Sequence, residues 1–195
     1  MSRTVGQDED PEQGLIERML AVLARCALTS ARADQVAEIH DFAARLIGPG
    51  IASTATLARV HALSGAALFH TREQGELTGA LAVIILSPDG LAAVEVDRFD
   101  GVALDAKHLA KPDERAAGVY AWGVAATTAL AGRRVIAGAR AIGRLAEDGR
   151  LPCFARAATT VGRRLLLQRL TFRPLPQSRS GLLVFQRPQT TERAA

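Results

Sequence analysis

The sequence predicts one α/β domain, and three observations carry that prediction. Residues 36–46 repeat apolar side chains at helical spacing, with Val36, Ile39, Phe42, Ala43 and Leu46 on one stripe. Residues 77–86 are instead an almost unbroken apolar run of strand length, closed by Ser87, Pro88, Asp89 and Gly90. Residues 118–125 hold the chain's single tyrosine and single tryptophan, Tyr120 and Trp122, and pass directly into a helical pattern over 128–147. With 195 residues, 48% of them hydrophobic, the chain can fill one sizeable core but is short for two.

The elements follow in order. Residues 1–13 are polar, include Asp8, Glu9 and Asp10, and predict a disordered tail, as do residues 187–195, leaving 14–186 as the domain. A helix can start at Pro11, carrying Leu15, Met19, Leu20 and Leu23; periodicity leaves open whether it runs through Cys26 or yields to a short strand over 22–28. Ser30 is placed to cap the next helix, with Asp34 in its first turns, and Gly48, Pro49 and Gly50 end it. A short helix follows Ser53, bearing Leu57, Val60 and Leu63, and stops near Gly65. Strands are expected at 66–71 and 77–86 around a turn at 72–76. Residues 91–99 then alternate, with Leu91, Ala93, Glu95, Asp97 and Phe99 on one face, which fits a further strand or part of a long connection. Residues 100–117 are loop-like.

The helix over 128–147 turns Val135, Ala139, Ile142 and Ala146 inward and Arg133, Arg140 and Arg144 to another face. Asp148, Gly149 and Pro152 break the chain before a strand at 153–158. A helix over 160–170 places Val161, Leu165, Leu166 and Leu170 inward, and Phe172, Pro174, Pro176 and Gly181 lead to a final strand at 182–186.

Several function classes are set aside. No apolar run approaches the roughly 20 residues that cross a bilayer, and the polar, acidic start lacks the basic and apolar pattern of a secretory signal, so a cytoplasmic protein is expected. Cys26 and Cys153 form no CxxC pair and read as small apolar residues, while His40, His61, His70 and His108 lack ligand spacing, so no metal is expected. Residues 1–128 hold 11 basic against 17 acidic side chains and residues 129–195 hold 13, all arginine, against 3. A half with net charge +10 suggests an anionic partner, and the same bias also reads as solvated helix faces. Nucleic acid is the weakest candidate, because that half interleaves few aromatics and shows no helix-turn-helix spacing.

The element order resembles the GNAT acyltransferase superfamily over residues 30–186, most closely at 154–175, where Leu170-Thr171-Phe172 stands in the place of the family's Leu-Gly-Phe. The resemblance implies a GNAT-like mixed central sheet flanked by helices, here with an extra N-terminal helix, in a divergent member. It implies transfer of an acyl group, acetyl above all, from acetyl-CoA or another acyl-CoA to an amine on a small molecule or peptide, without a metal. The family's cofactor motif, Arg or Gln, two residues, Gly, one residue, Gly or Ala, falls on Ala129-Leu130-Ala131-Gly132-Arg133-Arg134, where only Gly132 matches. Its physics is that helix N-terminal amides face the coenzyme diphosphate and small residues let them come close.

The resemblance also places the Gly123 and Val124 amides where the central strand would splay, ready for a developing oxyanion. The family's tyrosine position on the last helix is Leu167 here, which leaves Tyr120 as candidate proton donor; Tyr120 and Trp122 read equally as core or pocket wall. Glu95, sharing a face with Asp97, is the candidate general base, with His70 a second; such a carboxylate pair is also a common solvated face. The alternative to an enzyme is a catalytically inactive module of the same fold that holds an anionic ligand or partner. A homodimer is left open.

Overall fold

The computed structural model describes residues 14–112 and 114–185, so the tails expected at 1–13 and 187–195 lie outside the described residues. Helix α1 (Leu15–Arg25) ends at Cys26, which settles the choice left open by periodicity, and a two-residue strand β1 (Thr29–Ser30) follows. Ser30 is thus a strand residue paired with Phe69 and caps nothing; a 3-10 turn entered at Arg32 leads into α2 (Val36–Ile47). Val36, Ile39 and Phe42 are buried on α2, whereas Leu46 at its end is exposed. Ser53 caps α3 (Thr54–Ser64) by accepting from the Thr56 amide at 3.2 Å. Strands β2 (Leu68–Glu73) and β3 (Glu76–Leu86) form a hairpin. Its two turn residues, Gln74 and Gly75, both have positive φ, as the tight turn that matches strand twist requires.

The 91–99 segment is not a strand. Ser87 accepts from the Gly90 amide at 3.1 Å, Pro88 takes the first helical position, and α4 (Pro88–Glu95) results. The same Ser-Pro-Asp-Gly that closes β3 opens a helix, and the alternation beyond it is carried by small residues that suit either state. The central strand β4 (Gly118–Ala126) passes into α5 (Ala129–Asp148), capped by Thr128. Strand β5 (Cys153–Arg156), helix α6 (Thr160–Gln168) and the strands β6 (Phe172–Pro174) and β7 (Leu182–Phe185) complete the fold. On α6, Leu166 is buried, but Val161 is 76% exposed, contrary to the inward placement expected of it.

The seven strands form one sheet in the order β1-β2-β3-β4-β5-β7-β6, antiparallel except where β4 meets β5 in parallel. Parallel neighbours need a crossover, and α5 supplies it. One face packs Met19 and Leu23 of α1, Val135 and Ile142 of α5 and Leu166 of α6 against Leu81, Val83, Val119 and Ala155. The other face packs Ile39 and Phe42 of α2, Val60 of α3 and Val94 of α4 against Leu68, Ile84, Tyr120 and Phe154. Both faces of the inner strands are thus covered, which is why β3 reads as an unbroken apolar run. The result is the mixed sheet flanked by helices, with an added N-terminal helix, that the GNAT resemblance implies.

Candidate functional site

The site begins where a ladder stops. Parallel pairing of β4 with β5 runs only from Val119↔Cys153 to Ala121↔Ala155, although β4 continues for five more residues. Along its other edge β4 stays paired to β3, with Trp122 as an extra residue between Val83↔Ala121 and Ala82↔Gly123. Such a bulge bends its strand and increases the local twist, turning β4 away from β5. Between them lies a cleft of about 200 Å³ whose floor is Trp122, Gly123 and Val124 and whose far wall is Ala155, Arg156, Ala157 and Thr159.

Strand alternation decides which amides face it. The Thr127 amide donates to Thr78 O on β3 at 2.9 Å, so Ala125 and Gly123, at two-residue steps, face β3 as well. Val124 and Ala126 face the cleft. Of the two amides expected at the splay, Val124 is therefore the one directed to the cleft, and Gly123 leaves space; a Cβ there would meet only Ala82 and Ile47, both at 3.9 Å.

The segment after α4 closes a third side. Trp122 donates its indole N–H to Gly101 O at 2.8 Å, and the rings of Phe99 and Tyr120 lie 4.8 Å apart. Gly101 fits because a Cβ would press to 3.3 Å of the indole nitrogen. Beneath the cleft a smaller chamber of about 50 Å³ is walled by Ile39, Ala43 and Ile47 of α2, with Ala52, Leu57 and Trp122, all apolar.

The α6 N-terminus lines the cleft through Thr159 and Gly162, whereas α5 starts on the same sheet face beyond the end of β4, and none of residues 127–134 lines the cleft. Thr128 accepts from the Ala131 amide at 3.0 Å and Thr159 from the Gly162 amide at 2.9 Å. Residues 129–134 are the first turns of α5. Ala129 and Leu130 contribute exposed first-turn backbone, and a Cβ at Gly132 would meet nothing closer than 4.0 Å. Arg133 is exposed, but Arg134 turns back to β2 and donates to Thr71 Oγ1 at 3.0 Å. A carboxylate already sits beside this terminus: Glu73 Oε1 accepts from the Thr128 hydroxyl at 2.6 Å.

The catalytic candidates separate. Tyr120 lines the cleft and is 4% exposed; burial pushes its phenol above the ordinary value, partly countered by Arg156, so it keeps its proton at neutral pH. Glu95 is exposed at the end of α4 and does not line the cleft, because the segment that was to carry it is helical. His70 is buried on β2 with neither ring nitrogen partnered among the described residues, and it lies outside the cleft. Burial first, then Arg72, lowers its pKa.

Asp97 has a structural task. With φ of 57° it reaches the β6–β7 loop and accepts from Ser178 Oγ at 3.1 Å, the Arg179 and Ser180 amides at 2.8 Å each, and the Ser180 hydroxyl. Those donors, the Ser180 hydroxyl foremost, bring its pKa down to about 2. Folding thus favours the ionised form, and its contribution is complete above the ordinary value of 3.8 and fades as pH falls toward 2. Thermal melts are expected to show wild type losing its advantage over Asp97→Asn across that window; equal differences at pH 6 and pH 2.5 would contradict this.

Arginine 156, Thr159 and Glu73 were not singled out in the sequence. Arg156 needed the β4–β5 register, which sets it one step beyond the last pair and level with Trp122. Among the described residues no cluster of three or more His, Cys, Asp or Glu is placed to hold a metal, and no helix is long and apolar enough to cross a membrane.

No protein-family model matches the sequence, and no curated protein matches it. Among solved structures the chain is similar to a GphF GNAT-like decarboxylase in complex with isobutyryl-CoA, at 17% identity and a TM-score of 0.42. The match covers 66% of this chain and 64% of that one, so it spans less than two thirds of that protein's length.

Proposed function

We propose that the chain is a divergent GNAT-type acyltransferase that binds acyl-CoA between β4 and β5 and passes the acyl group to an amine. The observation that supports this best is the early end of the β4–β5 ladder, which opens the Val124 amide to a crevice lined by small residues. A pantetheine arm is extended and carries two amide groups, so it can lie along β4 as a substitute strand. Its diphosphate end would then reach the α5 and α6 N-termini, and the thioester would lie near Val124 and Tyr120. Catalysis in this arrangement comes from alignment of the reactants and from the strand amide at the developing oxyanion. Tyr120 protonates the departing thiolate. The amine is deprotonated by solvent or by a group of the acceptor, since the expected base Glu95 stands elsewhere.

The reading is tested by titrating purified protein with acetyl-CoA and longer acyl thioesters by calorimetry, while following thiol release with an amine panel. Saturable binding with release supports the transferase. Binding without release supports the inactive module, which the diverted Arg134 and the carboxylate at the α5 cap favour. No binding overturns the transferase and leaves the inactive module only with an anionic ligand other than acyl-CoA.

Glu73 gives a second, finer test. Unit charges about 5 Å apart in water-like surroundings repel by about 0.8 kcal/mol, so Glu73→Gln is expected to tighten acyl-CoA binding about fourfold. An unchanged constant would move the diphosphate away from the α5 N-terminus.

A further inference from the structure

Of the side chains with a buried nitrogen lacking a partner among the described residues, Arg156 is the one that lines the β4–β5 cleft. It is the last residue of β5, lies one step past the final β4–β5 pair, and forms part of the cleft wall. Its Nη2 donates to Ser180 Oγ and stands 3.8 Å from Asp97 Oδ1, yet its Nε–H is buried and has no acceptor among the described residues. A buried donor left without an acceptor is costly, while the Arg156 side chain as a whole is 34% exposed and keeps part of its charge in solvent. Asp97 does not remove that cost: both its oxygens are engaged by Ser178, Arg179 and Ser180, and 3.8 Å exceeds hydrogen-bond distance.

The face that Arg156 occupies narrows what it meets. Ala155 packs with the α1, α5 and α6 side and Phe154 with the α2, α3 and α4 side, so strand alternation puts Arg156 on the latter, with Tyr120. The α6 N-terminus, suited to a diphosphate, enters the same cleft through Thr159 and Gly162, while the helix itself packs on the opposite sheet face through Leu166. Arg156 stands level with Trp122, on the face that carries Tyr120, the candidate proton donor. The adjoining chamber is wholly apolar and offers no charge of its own to an anion.

We propose that Arg156 binds a carboxylate on the substrate that meets the thioester in this cleft. This rests on the acyl-CoA reading given above and names the substrate class: one reactant is anionic at one end and aliphatic beside it. The carboxylate has two sources, an amino-acid acceptor or the far end of a dicarboxylic acyl group. A guanidinium held by Ser180 is already oriented, so little ordering is lost when the carboxylate arrives.

The test compares matched probes. Succinyl-CoA is set against butyryl-CoA, and, in the presence of coenzyme A, leucine against leucinamide, each by calorimetry. In wild type one carboxylate probe is expected to bind at least tenfold tighter than its neutral counterpart. In Arg156→Gln that preference should fall below twofold, with a cooperative melt near the wild-type temperature showing that the variant is folded. Arg156→Lys should keep part of the preference, and it decides the matter if the Gln variant does not fold. Ser180→Ala, which loosens the loop but leaves the cation, should keep most of it. Thioester binding with no preference in either pair, or a preference that survives Arg156→Gln, overturns the carboxylate assignment and leaves the acyl-CoA reading standing. Failure of every thioester to bind overturns the acyl-CoA reading, and this assignment with it.

Discussion

Replacing Gly132 by glutamate is expected to weaken acyl-CoA binding at least a hundredfold, about 2.7 kcal/mol, with the protein still folded. Gly132 lies in the first turns of α5, in the stretch where the diphosphate would approach the helix amides. A side chain there is sterically allowed, because the nearest atom to an added Cβ is Ala126 Cβ at 4.0 Å. Glycine is also a poor helix residue, so any other non-proline side chain improves the local propensity by up to about 1 kcal/mol. An acidic group near a helix N-terminus is favourable as well, although Glu73 beside Thr128 works against it. Stability should therefore stay within about 1 kcal/mol of wild type. Near-normal melting with lost calorimetric binding is the expected pair of results, and Gly132→Ala should bind nearly as wild type does. Unaltered affinity in Gly132→Glu would show that the α5 N-terminus plays no part.

Gly90→Ala is expected to be the most damaging small change to the fold. A Cβ at Gly90 would come within 2.2 Å of the His108 carbonyl oxygen, and the obstacle is backbone, which cannot rotate aside. That carbonyl accepts from the Ser87 amide at 3.1 Å, and Ser87 Oγ donates to Lys107 O, so moving the 106–108 turn breaks the contacts that seat α4. Overpacking of this kind costs about 3 kcal/mol, or roughly 6–12 °C in melting temperature for a chain of this size. Gly50→Ala, where nothing lies within 4 Å, is the control and should change little. Equal melting of the two variants would mean that α4 does not rest on that turn.

Much of this architecture is written in short-range signals. Ser53, Thr128 and the 77–86 run announce their elements because a cap acts on an amide two or three residues away and a buried strand needs apolar side chains on both faces. The 91–99 segment misleads because Ser87 and Pro88 are good residues both for leaving a strand and for entering a helix; the choice is made by Gly90 against His108, a contact between distant residues. Glu95 fell with that choice. The cleft was legible as a place, the junction of β4 with its helix, but its shape depends on the Trp122 bulge and on where pairing with β5 ends. Pairing partners more than thirty residues apart leave no local mark. Among 13 arginines in the last third, nothing in the sequence tells Arg156, with its orphaned Nε, from Arg133 on an exposed helix face. Arg134 shows the same limit: its place in the motif is readable, but its turn toward Thr71 follows from the rotation of α5 against β2.

The sheet's two rims carry a further consequence. It is bounded by β1, two residues long, and by β6, three residues ending in Pro174, which has no N–H to donate. So little free backbone gives a foreign strand almost no template at either rim, which leaves the end of β4 beyond its pairing with β5 as an open backbone edge.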